Sequence, residues 1–306
     1  MEEPGRVDRL RDSARDRARS AAERGRELGR AARLDKAWAR CRVARLTREA
    51  IISGFFGPVM SYYARRRTSG KEHFRGLQPP VVLVANHSSH MDTPAILRAL
   101  PRRWRQRTAV AAAADYFYKN QIVANLVSLA FNTVPLQRRG GGLDASAPDN
   151  LHRLIDQRWN LLLYPEGTRS RDGRVGRLRS GAAVLAADHG ISIVPIYVRG
   201  THEAMPPGQP WPKRIPGKLL SRRHRVSIEI GEPIRPRPGE HRADVIKRVR
   251  AFYEARSAPV MGKPAMASGE IAAAAPGDER PEAGDGAAAP HVAAQTPPGV
   301  DLPPVR

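Results

Sequence analysis

Residues 80–92 read Pro-Val-Val-Leu-Val-Ala-Asn-His-Ser-Ser-His-Met-Asp. The apolar run over 80–85 predicts a short strand that is buried on both faces, as in a parallel sheet. A helix is predicted to follow over about 93–100, so polar residues fill the turn between the two elements. Because open α/β sheets place their functional sites at the carboxyl ends of strands, this turn is a candidate site.

Strand-like and helix-like segments alternate through the rest of residues 70–256. This alternation predicts an α/β fold with a mainly parallel sheet flanked by helices. The predicted strands are 80–85, 108–113, 134–136, 160–164, 191–198 and 225–230, and the predicted helices are 93–100, 121–131, 148–159, 182–189 and 240–256.

Composition divides the chain into four regions. Residues 1–33 are a charged arm, helical or disordered, and residues 34–67 are an amphipathic helical segment predicted to associate with a membrane. Residues 68–256 are the predicted main domain, and residues 257–306 are rich in Ala, Pro and Gly. Because that last composition buries too little apolar surface to fold, we expect a disordered C-terminal tail.

Segment 34–67 supports two interpretations. Its apolar residues recur near helical spacing, and an aromatic stretch is followed by Arg65, Arg66 and Arg67. Apolar residues flanked by arginines suit a membrane interface, but the same pattern suits a helix that packs against the core. In the membrane interpretation the inserted residues are Ile51, Ile52, Phe55, Phe56, Val59, Met60, Tyr62 and Tyr63.

The charge of the chain predicts an anionic partner. The 306 residues carry a net charge of +22, most of it within residues 51–256, which suits nucleic acid, anionic lipid or a phosphorylated substrate. Cys41 is the only cysteine, so no internal disulfide forms. No apolar run reaches the ~18–20 residues of a membrane-spanning helix, and we find no secretory signal pattern.

His87 and Asp92 are the first candidate catalytic pair. On one regular helix these two residues would point about 140° apart, so they meet only if His87 lies in the turn and Asp92 begins the helix. The carboxylate then holds one imidazole nitrogen and leaves the other as a general base. Alternatively, Asp92 only caps the helix, or Ser88 or Ser89 adds a nucleophile.

Two further groups of residues follow predicted strands. Residues 164–170, Tyr-Pro-Glu-Gly-Thr-Arg-Ser, combine a glycine-containing turn with an arginine fork, which is suited to a phosphate. Arg138 and Arg139 follow the strand 134–136 and are also suited to a phosphate. Taken alone, the first group is equally consistent with a β-turn that bears a solvated Glu–Arg pair, and the second with ordinary surface arginines.

Taken together, these motifs resemble the glycerolipid acyltransferase family, which includes the 1-acyl-sn-glycerol-3-phosphate acyltransferases. The family's Asn-His-x-Ser-x-x-Asp motif matches residues 86–92, and its Phe-Pro-Glu-Gly-Thr-Arg-Ser motif matches residues 164–170 with Tyr in place of Phe. An apolar strand that ends in arginine resembles 134–138, and a Val-Pro strand resembles 193–196. The sequence departs from the family in Leu178-Arg179-Ser180-Gly181, where a Phe-Lys pair is usual, and in Asn132, where Gly is commoner.

The resemblance implies an acyltransferase domain over 68–256 and a direct transfer of a fatty acyl group. His87, oriented by Asp92, removes the proton from the acceptor's hydroxyl, which attacks the thioester of acyl-CoA or acyl carrier protein without a covalent acyl-enzyme. The residues implied to position the phosphate of a lysophosphatidic-acid-like acceptor are Arg138, Glu166, Gly167, Thr168 and Arg169. No metal and no cofactor is expected.

The expected partners are the lysophospholipid acceptor, the acyl donor and an anionic membrane surface, with the protein peripheral on the cytoplasmic side of the membrane. Binding to nucleic acid is not expected, because aromatic residues make up only 6% of the chain and the sequence has no signature of a nucleic-acid-binding module. The alternatives are a basic binding protein without catalysis, on nucleic acid or anionic membranes, and a serine lipid hydrolase. Neither Ser88 nor Ser89 lies in the Gly-x-Ser-x-Gly turn of such hydrolases.

Overall fold

The computed structural model describes residues 35–113, 121–136, 149–217 and 221–257. The predicted arm 1–33, residue Arg138 and all but the first residue of the predicted tail lie outside the described residues. In chain order the elements are a 3-10 helix (Ala37–Arg40), α1 (Arg42–Ala50), a π-helical segment (Ile51–Phe56), α2 (Gly57–Tyr63), β1 (Ala64–Ser69), a 3-10 helix (Lys71–Phe74), β2 (Val82–Ala85), α3 (Asp92–Ala99), α4 (Arg102–Arg105), β3 (Thr108–Ala113), α5 (Gln121–Phe131), β4 (Thr133–Leu136), α6 (Asp149–Asp156), β5 (Asn160–Leu163), α7 (Gly181–Asp188), β6 (Ile193–Arg199), α8 (Thr201–Ala204), β7 (His224–Ile230) and α9 (Arg242–Ser257).

The strands form one sheet in the order β1-β7-β6-β2-β5-β3-β4. Five neighbouring strands run parallel to one another: β6, β2, β5, β3 and β4. Parallel strands need a crossover connection, and helices provide it between these strands. Strand β7 is antiparallel to β6, and β1 is parallel to β7 at the edge. The carboxyl ends of β2, β5 and β6 therefore lie side by side at one end of the sheet.

Apolar side chains cover both faces of the sheet. Along β2, Leu83 and Ala85 pack into one hydrophobic cluster with α3 and α4, whereas Val82 and Val84 pack into a second cluster with α6, α7 and α9. This alternation explains the continuous apolar run of the sequence, since a strand of a parallel sheet has no solvated face. The predicted α/β fold with a mainly parallel, helix-flanked sheet is confirmed.

The N-terminal segment is helical, but part of it belongs to the core and to the sheet. Ile52 and Met60 are buried in the core, so their predicted insertion into a membrane is wrong, while Phe55 and Tyr62 are exposed. Residues 64–69, which include the three arginines, form strand β1 beside β7, so the sheet crosses the predicted boundary between 67 and 68. No helix among the described residues is both long and apolar enough to span a membrane.

Candidate active site

His87 and Asp92 meet at the carboxyl end of β2, as their spacing predicts. Asp92 is the first residue of α3, and its Oδ2 lies 2.9 Å from Nδ1 of His87. The Asp92 side chain is fully buried, whereas 18% of the His87 side chain is exposed. With Nδ1 engaged by the carboxylate, Nε2 of His87 is the nitrogen left for a substrate.

Backbone donors fix the Asp92 carboxylate. The N–H groups of Ser88 and Ser89 donate to Oδ2 of Asp92 at 2.7 and 2.8 Å. These bonds satisfy donors of the turn that precedes α3. The carboxylate therefore holds this turn and the imidazole of His87, but it does not cap α3, whose N-cap is Met91 without a side-chain hydrogen bond.

Thr201 is a partner of Asp92 that the sequence analysis missed. Its Oγ1 donates a hydrogen bond of 2.6 Å to Oδ1 of Asp92, and both side chains are fully buried. Gly200 precedes it with φ +87°, where a Cβ would lie 1.9 Å from the carbonyl oxygen of Arg225, so only glycine permits this turn. Thr201 lies three residues after the predicted strand 191–198, and this place beyond a strand end is the signal that could have found it.

Asn86 ties the histidine turn to the neighbouring strand. Its amide donates to the carbonyl of Val198 at 2.8 Å and accepts from the N–H of Val198 at 2.7 Å. Because Val198 is near the carboxyl end of β6, this pair of bonds sets the position of Thr201 relative to Asp92. The asparagine of the motif thus joins two strand ends and does not face a substrate.

Tyr164 packs against the imidazole of His87. The two rings are stacked, with centroids 4.0 Å apart and an interplanar angle of 20°. The hydroxyl of Tyr164 lies 2.7 Å from Oγ1 of Thr93, in the first turn of α3. Stacking on one side and the carboxylate on the other leave the His87 ring little rotational freedom. Burial raises the pKa of Tyr164, so its hydroxyl stays protonated.

Glu166 has a different environment from the predicted phosphate site. Its carboxylate accepts hydrogen bonds from the N–H of His87 at 2.8 Å and from the N–H of Gly176 at 2.9 Å. The residue is 8% exposed, and burial raises its pKa despite these two donors. Glu166 therefore holds two loop segments together, and its role in positioning the acceptor's phosphate stays a prediction.

The other predicted phosphate-binding residues lie in the same loop. The N–H of Gly167 is used within the turn, where it donates to the carbonyl of Tyr164 at 3.0 Å, so it is not a phosphate donor here. Thr168 is exposed. Nη1 of Arg169 is buried and has no hydrogen-bond partner among the described residues. Partial burial lowers the pKa of His90, and the charges of Arg169 and His87 lower it further.

The two serines of the turn are not placed as nucleophiles. Ser89 is fully buried, and its hydroxyl donates to the carbonyl of Met205 at 2.7 Å. The hydroxyl of Ser88 lies 3.4 Å from that of Thr201, and Ser88 is 4% exposed. Neither hydroxyl is hydrogen-bonded to His87 in the described structure, which argues against the serine hydrolase alternative. Within the described residues, no cluster of three or more His, Cys, Asp or Glu suits a metal ion.

A family model described as Acyltransferase matches residues 65–199. Residues 65–199 are therefore similar to that family, and the resemblance predicted from the four motifs is confirmed. The matched range contains His87, Asp92 and Tyr164, whereas Thr201 lies just beyond its end.

Several relatives are named as 1-acyl-sn-glycerol-3-phosphate acyltransferases. A chloroplastic 1-acyl-sn-glycerol-3-phosphate acyltransferase of Arabidopsis thaliana is 29% identical over 143 residues, which is 45% of this chain and 37% of that protein. A taffazin of Dictyostelium discoideum is 27% identical over 141 residues, which is 42% of this chain and 48% of that protein. These matches span less than half of the length of both relatives.

The chain is also similar to a solved structure. The crystal structure of the 1-acyl-sn-glycerophosphate acyltransferase PlsC from Thermotoga maritima aligns with a TM-score of 0.49 and 22% identity. The alignment covers 68% of this chain and 79% of that chain.

Proposed function

We propose that the protein transfers a fatty acyl group from a thioester to a hydroxyl of a glycerophospholipid, with His87 as general base. The observation that carries the proposal is the imidazole of His87, held at Nδ1 by the buried carboxylate of Asp92. Nε2 then accepts the proton of the acceptor's hydroxyl, and the hydroxyl oxygen attacks the thioester carbonyl. The acyl–oxygen bond forms, the acyl–sulfur bond breaks, and the departing thiolate is protonated.

The proposed mechanism is direct, without a covalent acyl-enzyme. The buried serine hydroxyls support it, since each is turned toward another protein oxygen and not toward His87. The contacts of the His87 imidazole with Tyr164 and Asp92 support it too. A base held in one orientation can place the acceptor oxygen within the ~3–3.5 Å of the thioester carbonyl carbon that reaction requires.

The proposed acceptor resembles lysophosphatidic acid, and the proposed donor is acyl-CoA or acyl carrier protein. The name of the Arabidopsis relative supports a phosphate-bearing acceptor. The unpartnered Nη1 of Arg169, close enough to His90 to lower its pKa, supports an anion beside the base. Arg138 and Thr168 remain proposed contributors. No metal or cofactor takes part in this proposal.

The proposed location is the surface of an anionic membrane, on its cytoplasmic side and without a spanning segment. The acceptor and the product are amphiphiles that reside in a bilayer, so the site must reach them there. The net charge of +22 supports attraction to anionic lipid. We propose no role for nucleic acid.

An acyl-transfer assay with labelled acyl-CoA and lysophosphatidic acid tests the function. His87→Ala should lower the rate about 10²–10⁴-fold, as expected for the loss of a general base, and should leave the circular dichroism spectrum unchanged. Ser88→Ala is the matched control in the same turn and should retain most of the activity. A folded His87→Ala variant with more than about a tenth of the parent rate, or an acyl group trapped on Ser88 or Ser89, contradicts the mechanism.

A further inference from the structure

Helix α5 presents several large apolar side chains to the surface and small ones to the core. Ile122 and Leu126 are 71% and 61% exposed, whereas Ala124 and Ser128 are buried. A surface helix of a globular protein normally has its apolar stripe inward and its polar residues outward. The outward face of α5 therefore suits an apolar neighbour better than water.

Helix α1, which packs beside α5, has the same reversed arrangement. Val43 and Leu46 are 73% and 55% exposed, while Ala44 and Arg48 are buried. The two helices are joined by Nη2 of Arg48, which donates to the carbonyl of Ser128 at 3.2 Å. Single exposed apolar residues are normal, but two adjoining helices with apolar outward faces mark an interaction surface. We call this surface the docking face and define it by Val43, Leu46, Ile122 and Leu126.

The charges around the docking face are positive. Helix α5 contains no charged residue. The single acidic residue of α1, Glu49, is neutralised by the guanidinium of Arg105, whose Nε donates to it at 3.0 Å. Arg42 on α1 and Arg102 on α4 are exposed, and the hydrogen bond between Arg105 and Glu49 places α4 next to α1. An apolar centre with a basic rim is complementary to anionic lipid.

We propose that the outward faces of α1 and α5 together dock the protein on an anionic bilayer. A second copy of the chain is the less suitable occupant, because it would bring the same basic rim into contact with itself. The proposal rests on the proposed function, because docking would give the site access to an amphiphilic acceptor in the bilayer. It differs from the interpretation of segment 34–67 alone, because α5 lies in the middle of the chain and contributes half of the surface.

Sedimentation with vesicles tests the docking face. The vesicles are equimolar phosphatidylglycerol and phosphatidylcholine, and phosphatidylcholine alone serves for comparison. Leu126→Glu should lower the partition coefficient of the full chain on anionic vesicles at least about tenfold, the factor expected for the lost burial of one leucine. Ala251→Glu is the matched control, because it adds the same charge at an exposed position of α9. This control should bind as the parent does.

Three outcomes overturn the proposal. One is unchanged binding of a folded Leu126→Glu variant, and another is a parent dimer that Leu126→Glu converts to a monomer in lipid-free buffer, which would assign the face to a second copy. If Leu126→Glu fails to fold, Leu46→Glu on α1 repeats the test, and unfolding of both variants would make these residues part of the core.

Transfer to a short-chain, water-soluble acceptor should be unchanged in Leu126→Glu. Absence of transfer in the parent would instead contradict the proposed function and leave the vesicle result standing.

Discussion

At the scale of single residues, the Asp92 carboxylate is the centre of the site. It accepts hydrogen bonds from two backbone N–H groups and from Thr201, and it holds the imidazole of His87. A buried carboxylate needs such donors, because its desolvation would otherwise cost several kcal/mol. The two backbone N–H groups donate to Oδ2 and Thr201 donates to Oδ1, so the bond from Thr201 adds a constraint on the rotation of the carboxyl group.

Thr201→Val tests this positioning role. The valine keeps the shape and removes the donor, so we expect the bond to Asp92 to be lost at a cost of about 1.5–3 kcal/mol. The kcat should fall about 10–100-fold, the loss that this free energy corresponds to if it is expressed in the transition state, while the acceptor KM changes little. Steady-state kinetics of the folded variant measure both. Thr201→Ser, which restores the hydroxyl, should recover most of the kcat; failure of this rescue would contradict a role for the hydroxyl.

The residues found from the sequence are those whose partners lie nearby in the chain. His87 and Asp92 are separated by one turn, so a strand-to-helix geometry was enough to bring them together. Thr201 is 109 positions from Asp92, and its contact depends on the pairing of β2 with β6, which no local pattern reports. The bonds of Glu166 to the N–H groups of His87 and Gly176 were not predicted either, since the sequence does not show where backbone N–H groups point.

At the scale of elements, the loop after β5 braces the turn after β2. Glu166 accepts from the N–H of His87, and the N–H of Ser170 donates to the carbonyl of His87 at 2.7 Å. The backbone of His87 is thus held on both sides by one loop. The same loop carries Arg169, so the proposed base and the proposed phosphate site are joined through this loop.

Arg169→Ala tests whether this loop binds the acceptor's phosphate. The guanidinium is proposed to bind the acceptor's phosphate through charge-assisted hydrogen bonds, which are worth about 1.5–3 kcal/mol each. The acceptor KM should therefore rise about 10–100-fold while the donor KM changes little, as measured by varying each substrate in turn. Arg171→Ala, at an exposed position of the same loop, is the control. A defect confined to the donor KM would reassign Arg169 to the thioester carrier.

Element types were predicted well where apolar residues dominate and poorly where they do not. Strand β1 is Ala-Arg-Arg-Arg-Thr-Ser, which has almost no apolar residue, because an edge strand with exposed side chains needs none. Its pairing with β7 is a long-range contact, and its arginines suggested a membrane flank instead. Asn132 departs from the glycine usual in the family yet keeps the backbone that glycine permits, with φ 52° between α5 and β4.

At the scale of the whole molecule, the C-terminal helix α9 closes the core over the central strand. The hydroxyl of Tyr253 donates a hydrogen bond of 2.9 Å to the carbonyl of Val84 in β2, and Tyr253 is fully buried. Burial raises the pKa of Tyr253 well above its ordinary value, so the phenol stays protonated and keeps donating. The strand that presents His87 is in this way tied to residues near the end of the described chain.

Tyr253→Phe tests how much this tie contributes to the whole fold. The substitution preserves the packed ring and removes one hydrogen bond to the Val84 carbonyl, which costs about 0.5–1.5 kcal/mol. Urea unfolding should show a lower midpoint with an unchanged slope, because the surface exposed on unfolding stays the same. Tyr62→Phe is the matched control, since Tyr62 is 57% exposed, and its free energy of unfolding should change by less than about 0.5 kcal/mol. Equal effects of the two substitutions would show that the bond to β2 adds nothing and that α9 is held by apolar packing alone.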